Sequence, residues 1–171
     1  MTRSPLTAFR IRRQIEHDGI RLRPLRIFDV PLIKKRFRDK EALGTTGSGK
    51  PASGGCLSVW WWLKKTYPIL FCIEVESKCV GFIGLYNLEP RESAEITLVI
   101  FDGGMRRRGY GSKAYDAVAT SLCRSLFFKR IIVRANADNQ PSISFWKKLG
   151  FEELHTGNGV KTMTKDLGRR P

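Results

Sequence analysis

Arg106-Arg107-Arg108-Gly109-Tyr110-Gly111-Ser112 is the stretch on which the reading of this chain turns. An apolar, β-branched run ends just before it at Phe101, and Gly103-Gly104 marks a loop between the two. From Tyr115 onward Val118, Ala119, Leu122 and Leu126 recur at helical spacing, which predicts a helix with Gly109–Ser112 at its N-terminus. Such a terminus carries unpaired backbone N–H groups and the positive pole of the helix dipole. Glycine lets a phosphate approach that backbone, and the arginines add fixed positive charge. The pattern is that of a main-chain cradle for a diphosphate.

The run leading into the cradle, Ser93–Phe101, predicts a strand. Alternation puts Ala94, Ile96, Leu98 and Ile100 on one face and Glu95, Thr97, Val99 and Phe101 on the other. Glu95 is open to two readings here, a strand residue reaching solvent or a base aimed at a cleft. Downstream, Arg130–Ala135 is a further strand reached only through the helix, so the two strands are expected to be parallel neighbours. A second helix is expected from Gln140 to Leu149, with Asn139 as its cap, Pro141 in its first turn and Gly150 at its end. Glu152–His155 and Val160–Lys165 follow as strands around the turn signal Gly157-Asn158-Gly159.

Upstream, Ile69–Glu76 and Cys79–Leu88 predict a hairpin turning at Ser77-Lys78, and Ile20–Leu25 predicts an earlier strand. Asp29 is expected to cap a helix running to about Lys40, with Val30, Ile33 and Phe37 on one side. Leu57–Thr66 is expected to be a short helix, and its Trp60, Trp61 and Trp62 cannot all face inward because helical neighbours differ by about 100°. Residues 44–55 form a glycine-rich stretch expected to be mobile. Within it, Gly44-x-x-x-x-Gly49-Lys50 matches most of a P-loop. Pro51 stands where Ser or Thr would hold magnesium, and the charged Arg38–Glu41 replaces the required apolar strand. Residues 1–19 show weak periodicity and are read as an N-terminal extension, loose or helical, on a single domain spanning 20–171. The class is α/β with a mixed sheet.

Composition narrows the partners. At 171 residues with 42% hydrophobic and 27% charged side chains, the chain suits one globular domain with a sizeable core. Lys and Arg number 31 against 16 Asp and Glu, leaving a net charge of +15. That field favours anionic partners such as nucleotide cofactors, RNA or acidic proteins without choosing among them. Cys56, Cys72, Cys79 and Cys123 have no CxxC spacing, so no structural metal site is expected and buried reduced thiols are. No apolar run approaches the roughly 20 residues needed to span a membrane, and no signal-peptide core follows the basic N-terminus. A cytoplasmic protein without membrane contact is expected.

Two motifs together carry a family resemblance. Arg106-x-x-Gly109-x-Gly111, after a strand and before a helix, resembles the cofactor signature of the GNAT N-acetyltransferase superfamily. Asn139-Gln-Pro-Ser142-Ile-Ser-Phe145-Trp146-Lys-Lys-Leu-Gly150-Phe151, starting 28 residues beyond Gly111, is similar to that family's Asn-x-x-Ser/Ala…Gly-Phe segment. The resemblance covers residues 20–167 and looks closest to the branch that acetylates ribosomal-protein N-termini, with polyamine and antibiotic acetyltransferases nearby.

The resemblance implies a single-domain, mostly antiparallel sheet flanked by helices, whose two central parallel strands splay apart around acetyl-CoA. The backbone at Val99, Ile100 and Phe101 would pair with the pantetheine arm. Arg106, Arg107, Arg108, Gly109, Tyr110, Gly111 and Ser112 would hold the pyrophosphate. Asn139 would bond the pantetheine or line its channel while also capping its helix, and Ser142 joins it as a cofactor-binding position. Acetyl would pass directly to a primary amine, with no acyl-enzyme intermediate and no metal.

An amine must first lose a proton, since a lysine-like amine has a pKa of about 10.4 and an α-amine about 8. Glu95, directly or through water, is the candidate base. Backbone N–H groups of residues 99–101 would polarise the carbonyl. Many members carry tyrosine where Trp146 stands, with its hydroxyl proposed to protonate the leaving thiolate. Indole N–H is no useful acid, so no general acid is assigned.

The +15 charge repels polycations such as spermidine or aminoglycosides and favours a protein or peptide amine. Two alternatives without catalysis stay open: a nucleic-acid- or ribosome-binding protein on the same fold, and an acyl-CoA-sensing regulator. Association with the ribosome, and the choice between monomer and homodimer, are likewise open.

Overall fold

The computed structural model describes residues 14–38, 55–101, 103–123 and 128–168. The strands are β1 (Ile15–His17), β2 (Ile20–Pro24), β3 (Ile69–Val75), β4 (Lys78–Glu89), β5 (Ser93–Ile100), β6 (Arg130–Asn136), β7 (Glu152–Gly157) and β8 (Val160–Asp166). The helices are α1 (Val30–Arg38), α2 (Cys56–Thr66), α3 (Tyr110–Val118), which runs on into a π-helical turn at Ala119–Cys123, and α4 (Gln140–Lys148). One sheet holds all eight strands in the order β1-β2-β3-β4-β5-β6-β8-β7. Every pair is antiparallel except β5–β6, which is joined through α3 and parallel as the strand-helix-strand order requires. The sheet is therefore mixed and mostly antiparallel, in one α/β domain.

The hairpins show what local chemistry decides. Asn158 and Gly159 are both left-handed (φ 51° and 72°), the backbone that a two-residue turn between twisted strands demands. The β3–β4 turn has the same form at Glu76-Ser77 (φ 47° and 63°), one residue earlier than expected. β1 corrects the picture of a loose or helical stretch before residue 20. Ile15 pairs with Leu22 and His17 with Ile20, and both isoleucines are buried. Three residues are too few to show alternation, so the strand was invisible until its partner supplied hydrogen bonds. Residues 1–13, and with them most of the N-terminal extension, lie outside the described residues. So do residues 44–54, which hold the near-match to a P-loop, and the Trp61 side chain.

The parallel pair carries the feature that matters most. β5 and β6 pair only from Ser93 and Arg130 to Ile96 and Val133. Beyond that point β6 stays paired to β8 along its whole length, through Asn136, and parts from β5. Thr97–Ile100 keeps β4 on one side and, among the described residues, has no strand on the other.

Two apolar clusters pack on opposite faces of the sheet. Ala94, Ile96, Ile131, Val133 and Met163 form the first with Ala114, Tyr115 and Val118 of α3 and Ile143 and Trp146 of α4. Tyr86, Phe82 and Val99 form the second with Val30 and Ile33 of α1 and Val59 and Leu63 of α2. Burial of each such side chain contributes about 1.5–3 kcal/mol.

α1 is tied down by a buried ion network. The Arg23 guanidinium forks onto both oxygens of Asp29 at 2.8 and 2.9 Å and reaches Glu74 at 2.6 Å. Asp29 closes a 3-10 turn (Ile27–Asp29), and its carboxylate accepts the Arg26 amide at 2.7 Å. It therefore caps backward, onto the turn before α1, and not forward onto α1 as expected. Burial works to raise the Asp29 carboxyl, but the hydrogen bonds from Arg23 and the Arg26 amide prevail and hold it below its ordinary value.

Cys72 of β3 and Cys79 of β4 are joined by a disulfide, and Cys56 is exposed, so of the four expected buried thiols only Cys123 is one. Burial pushes the Cys123 thiol up to about 12. Asp29, Cys72 and Cys79 bring potential ligand atoms within 4.8 Å of one another. The disulfide occupies both sulfurs and Arg23 both carboxylate oxygens, which leaves no donor set for a metal. Among the described residues no helix is long and apolar enough to cross a membrane.

Candidate active site

The residues expected to form the site gather where β5 and β6 part. Both strands run the same way, so the loops that follow them lie at one end of the sheet, and α3 and α4 both begin there. α3 starts at Gly109, whose φ of 82° is left-handed, and no side chain caps the helix. Its first N–H groups, from Tyr110, Gly111 and Ser112, have no intrahelical acceptor by the geometry of a first turn. Arg107 is also left-handed (φ 62°), the kind of backbone from which anion-binding nests are built. Arg106, Arg107 and Arg108 are all exposed around this loop.

Gly111 serves a different purpose from phosphate approach. A Cβ there would meet the Phe145 ring at 3.3 Å and Leu98 at 3.4 Å, so the glycine lets α3 close against α4 and β5. Asn139 accepts the Ser142 amide at 3.1 Å and caps α4. Its other expected partner, the pantetheine arm, would reach it from the same opening.

Antiparallel pairing uses every second residue, which sorts the end of β5. Phe101 N–H donates to Val80 O at 2.8 Å, so its amide is already committed to β4, and by alternation Val99 points the same way. This corrects the expectation that residues 99–101 all offer donors. Leu98 and Ile100 present their backbone to the opening, and of the expected three only Ile100 does.

Glu95 sits on the last paired turn of the β5–β6 ladder and is 6% exposed. One carboxylate oxygen, Oε1, accepts from Asn87 Nδ2 at 2.9 Å and is ion-paired with Arg134 at 3.0 Å. The other, Oε2, is buried with no partner among the described residues. Thr97, two residues on and on the same face, also has a buried hydroxyl without a partner. Two unsatisfied polar atoms on one face of a strand are costly unless something polar joins them. Tyr86 lies directly across from Glu95, and burial, followed by that carboxylate, pushes its phenol above the ordinary value.

Asn87, Arg134, Tyr86 and Thr97 had not been singled out. Asn87 is aimed by a bulge in β4 after Tyr86, where it is left-handed at φ 45°. Arg134 is placed by the parallel register, two residues past Ile132, which faces Glu95. The alternation Arg130, Ile132, Arg134 is the only hint the sequence held.

Trp146 is 3% exposed and stacks edge-on against Tyr115, Phe145 and Phe151 inside the first cluster. It belongs to the core and not to the cleft. A separate hollow at the β1–β2 and β3–β4 turns is lined by Glu16, Asp18, Glu74 and Glu76 with Arg21 as its one arginine, a net negative charge that does not favour an anionic cofactor.

Residues 20–152 match the family model for the acetyltransferase (GNAT) domain. The chain belongs to the GNAT acetyltransferase family. An uncharacterized N-acetyltransferase of Methanocaldococcus jannaschii is 31% identical over 112 residues, 63% of this chain and 49% of that one. The human alpha/beta-tubulin-N-acetyltransferase 9 is 29% identical over 94 residues, 54% of this chain and 45% of that one. The chain thus spans about half the length of the curated relatives it matches. A GNAT acetyltransferase from Bacillus anthracis has the same fold, with a TM-score of 0.72 at 17% identity over 90% of this chain and 98% of that one. GNAT proteins take acetyl-CoA as co-substrate. The left-handed backbone at Arg107 and Gly109, the arginines and the unpaired edge at Leu98 and Ile100 fit a long anionic thioester.

Proposed function

We propose that this GNAT protein is an acetyl-CoA-dependent N-acetyltransferase acting on a primary amine of a protein or peptide, with Glu95 as the base. The observation that carries the proposal is the Glu95 carboxylate at the parting of β5 and β6, one oxygen held and the other buried without a partner. Acetyl-CoA supplies a thioester carbonyl carbon, at which the C–N bond forms and from which the thiolate leaves. Asn87 and Arg134 fix the carboxylate through Oε1 and leave Oε2 to take the proton from the amine, directly or through a water shared with Thr97. The amide of Ile100 points into the opening and is the donor placed to polarise the carbonyl. Arg106, Arg107, Arg108 and the amides of Gly109–Ser112 hold the diphosphate, and Asn139 and Ser142 border the pantetheine.

A polypeptide acceptor is supported by the net charge of +15, which disfavours polycationic small molecules, and by the name of the human relative. The cytoplasm is the compartment of this proposal.

Glu95→Gln keeps the shape of the side chain and removes the base. Steady-state kinetics with acetyl-CoA and a panel of amines, monitored by CoA release, should show kcat reduced by about 10²–10⁴. The thermal shift produced by acetyl-CoA should change little. Equal turnover of Glu95→Gln and wild type across pH 6–9 overturns the base assignment. Absence of CoA release with every amine, together with RNA binding that weakens steeply with salt, favours the binding-protein alternative.

A further inference from the structure

Among the described residues, no helix covers the second face of the sheet beside the site. α1 and α2 cover it over β2 to β5, and no buried residue of that cluster comes from β6, β7 or β8. On β6 the residues Ile131, Val133 and Ala135 point to the first cluster, which leaves Ile132, Arg134 and Asn136 on the open face. The register places Thr164 opposite Ile132 and Thr162 opposite Arg134, and directly opposed residues share a face. These residues form a largely polar stretch of the sheet surface beside Glu95.

Arg134 is the cation nearest the base, and its side chain is 45% exposed. A guanidinium carries five N–H donors, and among the described residues Arg134 has one partner, Glu95. Arg130, by contrast, lies opposite Asp166 and within the field of Glu92. A cation in this position repels a second positive charge next to the incoming amine. It attracts a carboxylate, with a fork suited to bidentate binding. We propose that this surface takes the acidic segment of a polypeptide acceptor, and that Arg134 binds a carboxylate side chain within a few residues of the amine to be acetylated. This rests on the acetyltransferase reading above and names its substrate class.

The experiment uses paired peptides with a free N-terminus that differ only in Glu or Gln at one of the second to fourth positions. Wild type, Arg134→Gln and Arg134→Lys are compared by CoA release, with acetyl-CoA-dependent thermal shifts confirming that each variant is folded. Wild type should favour one Glu peptide by about tenfold in kcat/KM, the factor of one charge-assisted hydrogen bond, mainly through KM. Arg134→Gln should lose that preference, and Arg134→Lys should keep part of it.

Equal treatment of Glu and Gln peptides by wild type overturns the proposal. So does a loss in Arg134→Gln that is the same for both peptides and confined to kcat, which would make Arg134 a positioning residue for Glu95 alone. Acetylation of small amines with no release on any peptide overturns the polypeptide acceptor as well, which separates that failure from the first two.

Discussion

The two faces of the sheet are finished differently. On the first, α3 and α4 reach across the parting of β5 and β6, and the apolar residues of β6 and β8 lie beneath them. On the second, the helices stop at β5, and the strands beyond carry Arg134, Thr162 and Thr164 where the other face carries Val133 and Met163. The covered face holds the sheet together around its gap. The half-covered face, as far as the described residues go, leaves that gap without a helix over it, and Glu95 stands at the border between the two conditions. A buried carboxylate at such a border is shielded from bulk water yet reachable by a substrate.

This contrast can be broken first on the covered face. Trp146→Ala removes a fully packed indole and should destabilise the fold by about 3–5 kcal/mol, read as a fall in the urea midpoint. Next comes the clamp that holds the half-cover in place. Asp29→Asn leaves the buried Arg23 with Glu74 as its one remaining carboxylate partner among the described residues and should cost about 1.5–3 kcal/mol.

The same substitution has a pH signature. The folded Asp29 carboxyl titrates below its unfolded value of about 3.9, so its contribution is complete above that pH and is lost as the pH falls through the folded value. Asp29→Asn should therefore flatten the acid limb of the stability curve below about pH 4, and an unchanged slope would remove Asp29 from the account. At the small end, Thr162→Ala on the open face should change stability by no more than about 0.5 kcal/mol. A loss comparable to that of Trp146→Ala would mean the open face is packed after all.

Much of this was legible in the chain because it is local. Gly109 and Gly159 announce a helix start and a hairpin through backbone demands that few other residues meet, and the alternation in Ser93–Phe101 gave both faces of β5 correctly. What escaped depends on partners far away in sequence. Asn87 reaches Glu95 only because β4 bulges, and Arg134 only because a parallel register brings it two residues past the carboxylate. The Glu76-Ser77 turn slipped by one residue because neither side chain advertises a left-handed backbone. Trp146 stands where many members of the family carry tyrosine, and its ring packs in the core against Tyr115 and Phe151.

The parting of β5 and β6 has a consequence for solubility. A sheet ordinarily has two outer edges, and this one also has inner edges, along Thr97–Ile100 and Arg134–Asn136, that face each other across a gap. Unpaired strand edges invite other strands to add to them. Here the gap is bounded by helices at one face and narrows to the paired residues at its base, which hinders a second chain from lying flat along either edge. The protein can keep an interrupted ladder in its middle without offering it as a template for aggregation.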